Sequence, residues 1–137
     1  QAIPVLMHCV NDAERISDLA YLIARRAASQ PAATSGKFTD GALQELRQIL
    51  EKSDAIAKLT LESLRGSVGG AKAVEVILKD LKQLAQDSIQ RHVDRLQNGA
   101  CKPDRGMVYV EVVAAIENIV RHLENIAQRS DQLNFET

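Results

Sequence analysis

Apolar residues stepping by three and four run through nearly all of this chain, and nowhere do they alternate as a strand requires. Leu6, Cys9, Ala13, Ile16, Ala20, Ile23 and Ala27 line one face of a first helix, expected from about Pro4 to Ala28. Proline suits that first turn, where its missing N–H has no helical partner anyway. Leu43, Leu46, Leu50, Ser53, Ala57, Thr60 and Leu64 do the same for a second helix. Val74, Leu78, Leu81, Ala85, Ser88, His92 and Leu96 mark a third, from about Lys72 to Asn98. Tyr109, Val112, Ile116, Ile119, Leu123 and Ile126 mark a fourth, running to about Ser130. Each apolar stripe needs a partner, so the expected fold is all-α: an elongated, antiparallel, up-and-down bundle of four long helices.

Three breaks separate the runs. SQPAATSGKF, residues 29–38, contains Pro31 and Gly36, and Thr39 or Asp40 can then cap the second helix by accepting from its free first-turn N–H groups. Gly66 ends that helix, and Gly69-Gly70 complete the turn. Gly99 is the expected left-handed stop of the third helix, Pro103 blocks its continuation, and Asp104 can cap the fourth. At 137 residues the chain is one domain, residues 1–137. Aromatics make up only 3% and there is no Trp, so the core must come from Leu, Ile, Val and Ala packed at close range. A net charge of −1 gives no electrostatic case for nucleic acid or an anionic membrane. No run reaches the roughly 20 apolar residues of a membrane helix, so no direct membrane insertion of this segment is expected. The chain starts at Gln1 and is helical almost at once, which reads as part of a longer polypeptide.

Residues 10–26, VNDAERISDLAYLIARR, and residues 113–129, VAAIENIVRHLENIAQR, are two copies of one helical segment, 103 positions apart. Glu14 matches Glu117, Ile16 matches Ile119, Ile23 matches Ile126 and Arg26 matches Arg129. Glu14 and Asp18, four apart, share a face that lies roughly 160° from Ile16 and so points away from the seam. Their oxygens suit a hard cation, although one pair alone holds it weakly. In the second copy Arg121 stands where Asp18 would be, and a cation there competes with a metal. Asp12 lies on a different side of the helix from Glu14.

Of the three histidines, His8, His92 and His122, neither His92 nor His122 has an E-x-x-H partner, which disfavours a ferritin-like di-metal core. His92 reads as a packing or capping residue of the third helix, and His122 lies at the border of the fourth helix's seam. Cys9 reads as a small buried hydrophobe and Cys101 as a turn residue. No Gly-rich phosphate loop, G-x-S-x-G or nucleophile–base pair is present, so nothing in the sequence supports an enzyme or a catalytic residue.

NDAERISDLAYLIA resembles the signature helix of the PhoU family, whose pattern is close to DLERIGDHAxNIAE. HVDRLQNGACKPDRGMVYVEVVAAIENIVRHLENIAQ resembles the end of such a domain, above all the PhoU-like cytoplasmic region of bacterial sodium/phosphate cotransporters. There H-x-x-R-L, Gly and Cys precede the last signature helix; here these are His92, Arg95, Leu96, Gly99 and Cys101. The resemblance implies one complete three-helix repeat preceded by the last helix of another. It also implies a metal site of iron, manganese or magnesium on Glu14, Asp18 and Glu117. Ser17, Leu19 and Leu22 depart from the family's Gly, His and Asn, while His122 and Asn125 keep the last two positions in the second copy.

The function implied is a regulatory domain on the cytoplasmic side of the inner (plasma) membrane, tuning phosphate transport through helix-bundle contacts. Its expected partner is the transmembrane transporter portion of the same or another chain. Four helices must close on themselves or leave apolar surface for a second chain, so a homodimer is also among the expected partners. A stand-alone PhoU-type regulator of phosphate uptake and a metal-binding bundle are the alternative readings.

Overall fold

In a computed structural model the described residues form four helices: α1 (Ala2–Ala28), α2 (Asp40–Leu64), α3 (Gly70–Gln97) and α4 (Pro103–Glu136). The structure describes residues 2–28, 38–100 and 103–136, and of residues 104, 105, 135 and 136 the backbone alone. The Pro31–Gly36 break and the Cys101 turn lie outside what is described, and α4 begins at Pro103 itself, so Asp104 falls within its first turn and is not its cap. Among the described residues there is no strand, and no helix is long and apolar enough to cross a membrane.

Contacts along the helices set their directions. Glu45 lies beside Ser88 and Arg91, and the N-terminal Ala71 of α3 lies beside the C-terminal Asp131 of α4, so α3 is antiparallel to both α2 and α4. Thr60 of α2 reaches the Leu123 carbonyl of α4, and Glu45 reaches Tyr109, so α2 and α4 run parallel. Together α2, α3 and α4 enclose the core around Ile49, Ile56, Val74, Leu81, Tyr109, Val113 and Val120. Full burial of each aliphatic side chain there contributes about 1.5–3 kcal/mol. α1 packs chiefly on α4 and stays outside this three-helix unit.

The seam expected on α3 is its buried face. Two other seams are corrected. On α2 the buried stripe is Ala42, Ile49, Ile56 and Ser63, whereas Leu43, Leu50 and Leu64 are exposed. The reason is a second apolar stripe one residue over: Leu50 and Ala57 line an open cleft toward α1. On α1 the face turned to α4 is Val5, Cys9, Asp12, Ile16, Leu19 and Ile23, while Leu6, Ala13, Ala20 and Ala27 are exposed. Periodicity found an apolar arc but not which part of it met a partner.

Helix ends follow local chemistry. Thr39 is the N-cap of α2, its Oγ1 accepting from the Ala42 N–H at 3.2 Å. Gly99 has φ 71°, a left-handed stop where a Cβ would be strained. Gly70 begins α3 and leaves no space for a side chain, since a Cβ there would fall 1.8 Å from the Ser63 Oγ. α4 runs past the expected Ser130 because its last turns are tied down. Asp131 accepts from the Ala71 N–H at 2.9 Å, capping α3 from outside, and Asn134 donates to the Ser63 carbonyl at 2.9 Å.

Candidate functional site

The two copies of the repeated segment meet each other. α1 lies antiparallel on α4: Arg26 pairs with Glu111 at 2.8 Å, and Asp12 faces Asn125. The residue numbers of both pairs total 137, so the segments cross near Ser17 and Val120, which are themselves 103 apart. The duplicated helices are thus related by an approximate two-fold axis, each sending its late arginine, Arg26 or Arg129, toward an early carboxylate of the other.

Asp12 is the centre of this contact. It is only 5% exposed, and a buried carboxylate is tolerated only when its oxygens are taken up. His122 Nδ1 lies 2.8 Å from Oδ1, Asn125 donates to the same oxygen at 3.4 Å, and Arg129 pairs with Oδ2. A carboxylate only accepts, so Nδ1 is the nitrogen of His122 that donates to it. Arg129 meanwhile neutralises the carboxylate, so the group works as an electrostatic lock between α1 and α4 rather than as a free base. Cys9 sits one turn earlier on the same face; burial pushes its thiol pKa up, with Arg129 opposing and Asp12 adding to the shift. It is therefore a protonated, buried thiol.

A second polar centre lies between α2, α3 and α4. Glu45 accepts from Arg91 Nε at 2.7 Å, and its carboxylate lies 2.8 Å from Ser88 Oγ and 3.3 Å from Tyr109 Oη. Arg95 approaches both of its oxygens at 3.4 and 3.5 Å, and the Ser88 and Tyr109 hydroxyls also touch, so one of the two donates to the other, which itself donates to Glu45. Burial raises the Glu45 pKa, but the hydrogen bonds from Ser88, Arg91 and Arg95 outweigh it and hold the carboxyl below its ordinary range. Burial, the largest cause, pushes the Tyr109 phenol up, and the Glu45 charge and hydrogen bond add to the shift while Ser88 and Arg95 oppose it.

His92 stacks on Tyr109 with ring centroids 4.9 Å apart, and Phe38 meets the same ring edge-on at 5.5 Å. Gly106 makes room, since a Cβ there would lie 2.7 Å from His92 Nε2. His92 is 1% exposed, and among the described residues neither ring nitrogen has a hydrogen-bond partner. Burial first, and the Arg95 charge second, depress its pKa below 6.5, with Glu45 and the Gly106 backbone opposing. An unfolded chain therefore takes up a proton that the folded one refuses. Stability supplied by neutral His92 is full above pH 6.5 and is lost as pH falls toward the depressed folded value. Urea unfolding of His92→Leu is expected to show a flatter stability profile between neutral and mildly acidic pH than the parent. Parallel profiles would show that His92 does not titrate in this way.

The carboxylates expected to hold metal do not converge. Glu14 and Asp18 are exposed on the outer side of α1. Glu117 instead faces α3, beside Lys82, Gln86 and Gln90. Burial raises the Glu117 pKa, with the Lys82 charge opposing. Among the described residues no three His, Cys, Asp or Glu side chains are grouped to hold an ion. Asp12 and Glu45 are the acids that structure organises, and the sequence reading passed over both. A usable signal existed for Asp12. It shares a three-four stripe with Cys9 and Ile16, and the second copy presents His122, Asn125 and Arg129 at the same spacing.

On the α2 side of the α1–α4 contact lies a cleft of about 390 Å³. Ile16, Ala20 and Ile23 form one wall, Leu50 and Ala57 the other, and Ile119 the floor, so its lining is almost wholly apolar. Comparison with protein-family models, with curated proteins and with solved structures finds no match for this chain.

Proposed function

We propose that the chain is a PhoU-like regulatory domain on the cytoplasmic side of a sodium/phosphate symporter-type membrane protein, acting through helix-bundle contacts rather than by catalysis. The observation behind this reading is the direct mating of the two signature-like helices, α1 and α4. A repeat-ending helix followed by a three-helix unit is the arrangement the sequence resemblance implies. The apolar cleft between α1 and α2 is the contact surface on this reading, with a helix of the transporter portion as its occupant.

The test is sodium-driven phosphate uptake by proteoliposomes carrying the transporter portion, with and without residues 1–137. Uptake is expected to change on removal of the domain and to be restored by adding it back in solution. Leu50→Glu, which places a charge on the exposed α2 wall, is expected to fold normally and fail to restore it. Identical uptake under all three conditions would end the proposal.

A further inference from the structure

α1 carries a second apolar stripe, and among the described residues no other helix covers it. It recurs by three and four from Ile3 to Ala27, and each of its residues is exposed, Ile3 by 73% and Val10 by 67%. At its N-terminal end Ile3, Leu6, Met7 and Val10 form a continuous apolar surface. A helix apolar on two faces requires two partners, and α4 supplies only one.

The order of side-chain sizes along this stripe identifies the other. Its first three residues are bulky and the rest small, so a second α1 laid antiparallel over it sets large against small in every layer but the central one. Ile3 meets the partner subunit's Ala27, Leu6 the partner subunit's Ala24, and Val10 the partner subunit's Ala20. Ala13 and Ser17 face each other where the two helices cross, allowing close approach. On the flank, Met7 falls beside the partner subunit's Tyr21, a favourable sulfur–aromatic pairing of two side chains that are each 68% exposed in the single chain. Only the central flank is unfavourable, because Glu14 faces the partner subunit's Glu14. We infer that this outer face of α1 is the interface of a homodimer, closed by a two-fold axis through the Ala13–Ser17 crossing. An unrelated partner would not require the stripe to complement itself under reversal. The inference does not rest on the function proposed above.

Sedimentation equilibrium of the purified chain from micromolar to millimolar concentration tests it. A reversible monomer–dimer equilibrium is expected. Ala24→Leu, which sets two leucines against each other in one layer, is expected to weaken association about tenfold, the size of a modest overpacking penalty. Leu6→Ala combined with Ala24→Leu exchanges knob and hole and is expected to restore it. Glu14→Gln is expected to strengthen it. Leu6, Glu14 and Ala24 are all exposed in the single chain, so helicity and melting temperature serve as folding controls. A monomer throughout, or a dimer indifferent to Ala24→Leu, or one that the double exchange fails to rescue, overturns the assignment.

Discussion

Asp12→Ala is expected to lower stability by about 2 kcal/mol, or roughly 6–10 °C in melting temperature. The loss comes less from the deleted hydrogen bonds than from the groups left behind. His122 and Arg129 would face a protein interior instead of a carboxylate. Removing one member of a fully buried ion pair costs about 3–5 kcal/mol. The lower figure applies here because the side chains of Arg129 and His122 keep 30% and 20% of their exposure and can turn to water. Because α1 packs chiefly on α4, the damage should be local. Hydrogen exchange of the variant should quicken throughout α1 while the α2–α4 core keeps its protection. Asp54→Ala is the control, as its ion pair with Lys58 is a solvent-exposed i,i+4 contact worth about 0.3–0.5 kcal/mol. Uniform loss of protection across all four helices would show that α1 is part of one cooperative unit.

Glu45→Ala is expected to cost more, about 3 kcal/mol, because three helices depend on that carboxylate. Without it Arg91 and Arg95 repel each other, and Ser88 and Tyr109 keep only one another. Glu45→Gln retains acceptors for the hydroxyls but not the charge, so its loss should be intermediate. The pH dependence follows from the depressed folded pKa. Between the folded and unfolded values the unfolded chain holds the extra proton, so the Glu45 contribution is full above pH 4.5 and disappears as pH falls through the folded value. The advantage of the parent over Glu45→Gln should therefore be constant near neutrality and shrink only below about pH 4.5. Denaturant titrations of both proteins across that range test this directly, and an advantage unchanged in acid would remove Glu45 from the account.

The helix count, the turns at Gly66–Gly70 and the stop at Gly99 were legible because each is a local matter of spacing, capping or φ. The buried face of α3 was legible for the same reason: its apolar residues occupy a single stripe. α1 and α2 each carry two adjacent apolar stripes, and one residue of rotation separates the buried choice from the exposed one. The organised acids were missed because pairing partners lie far along the chain. Asp12 finds His122 and Arg129 across more than a hundred residues, and Glu45 finds Ser88 and Tyr109 across 43 and 64. Spacing within one helix favoured Glu14 and Asp18 instead, which remain on the outside.

By itself the sequence determined four helices, their breaks and the repetition of one segment, since these depend on neighbours within a few turns. Only the tertiary structure decided that the two repeated helices mate, and that they do so antiparallel about Ser17 and Val120. The repeated Ile and Ala positions are compatible with many helix pairings. A buried carboxylate is more exacting: Asp12 needs donors, and the face on which α1 lies is one that brings His122, Asn125 and Arg129 to it.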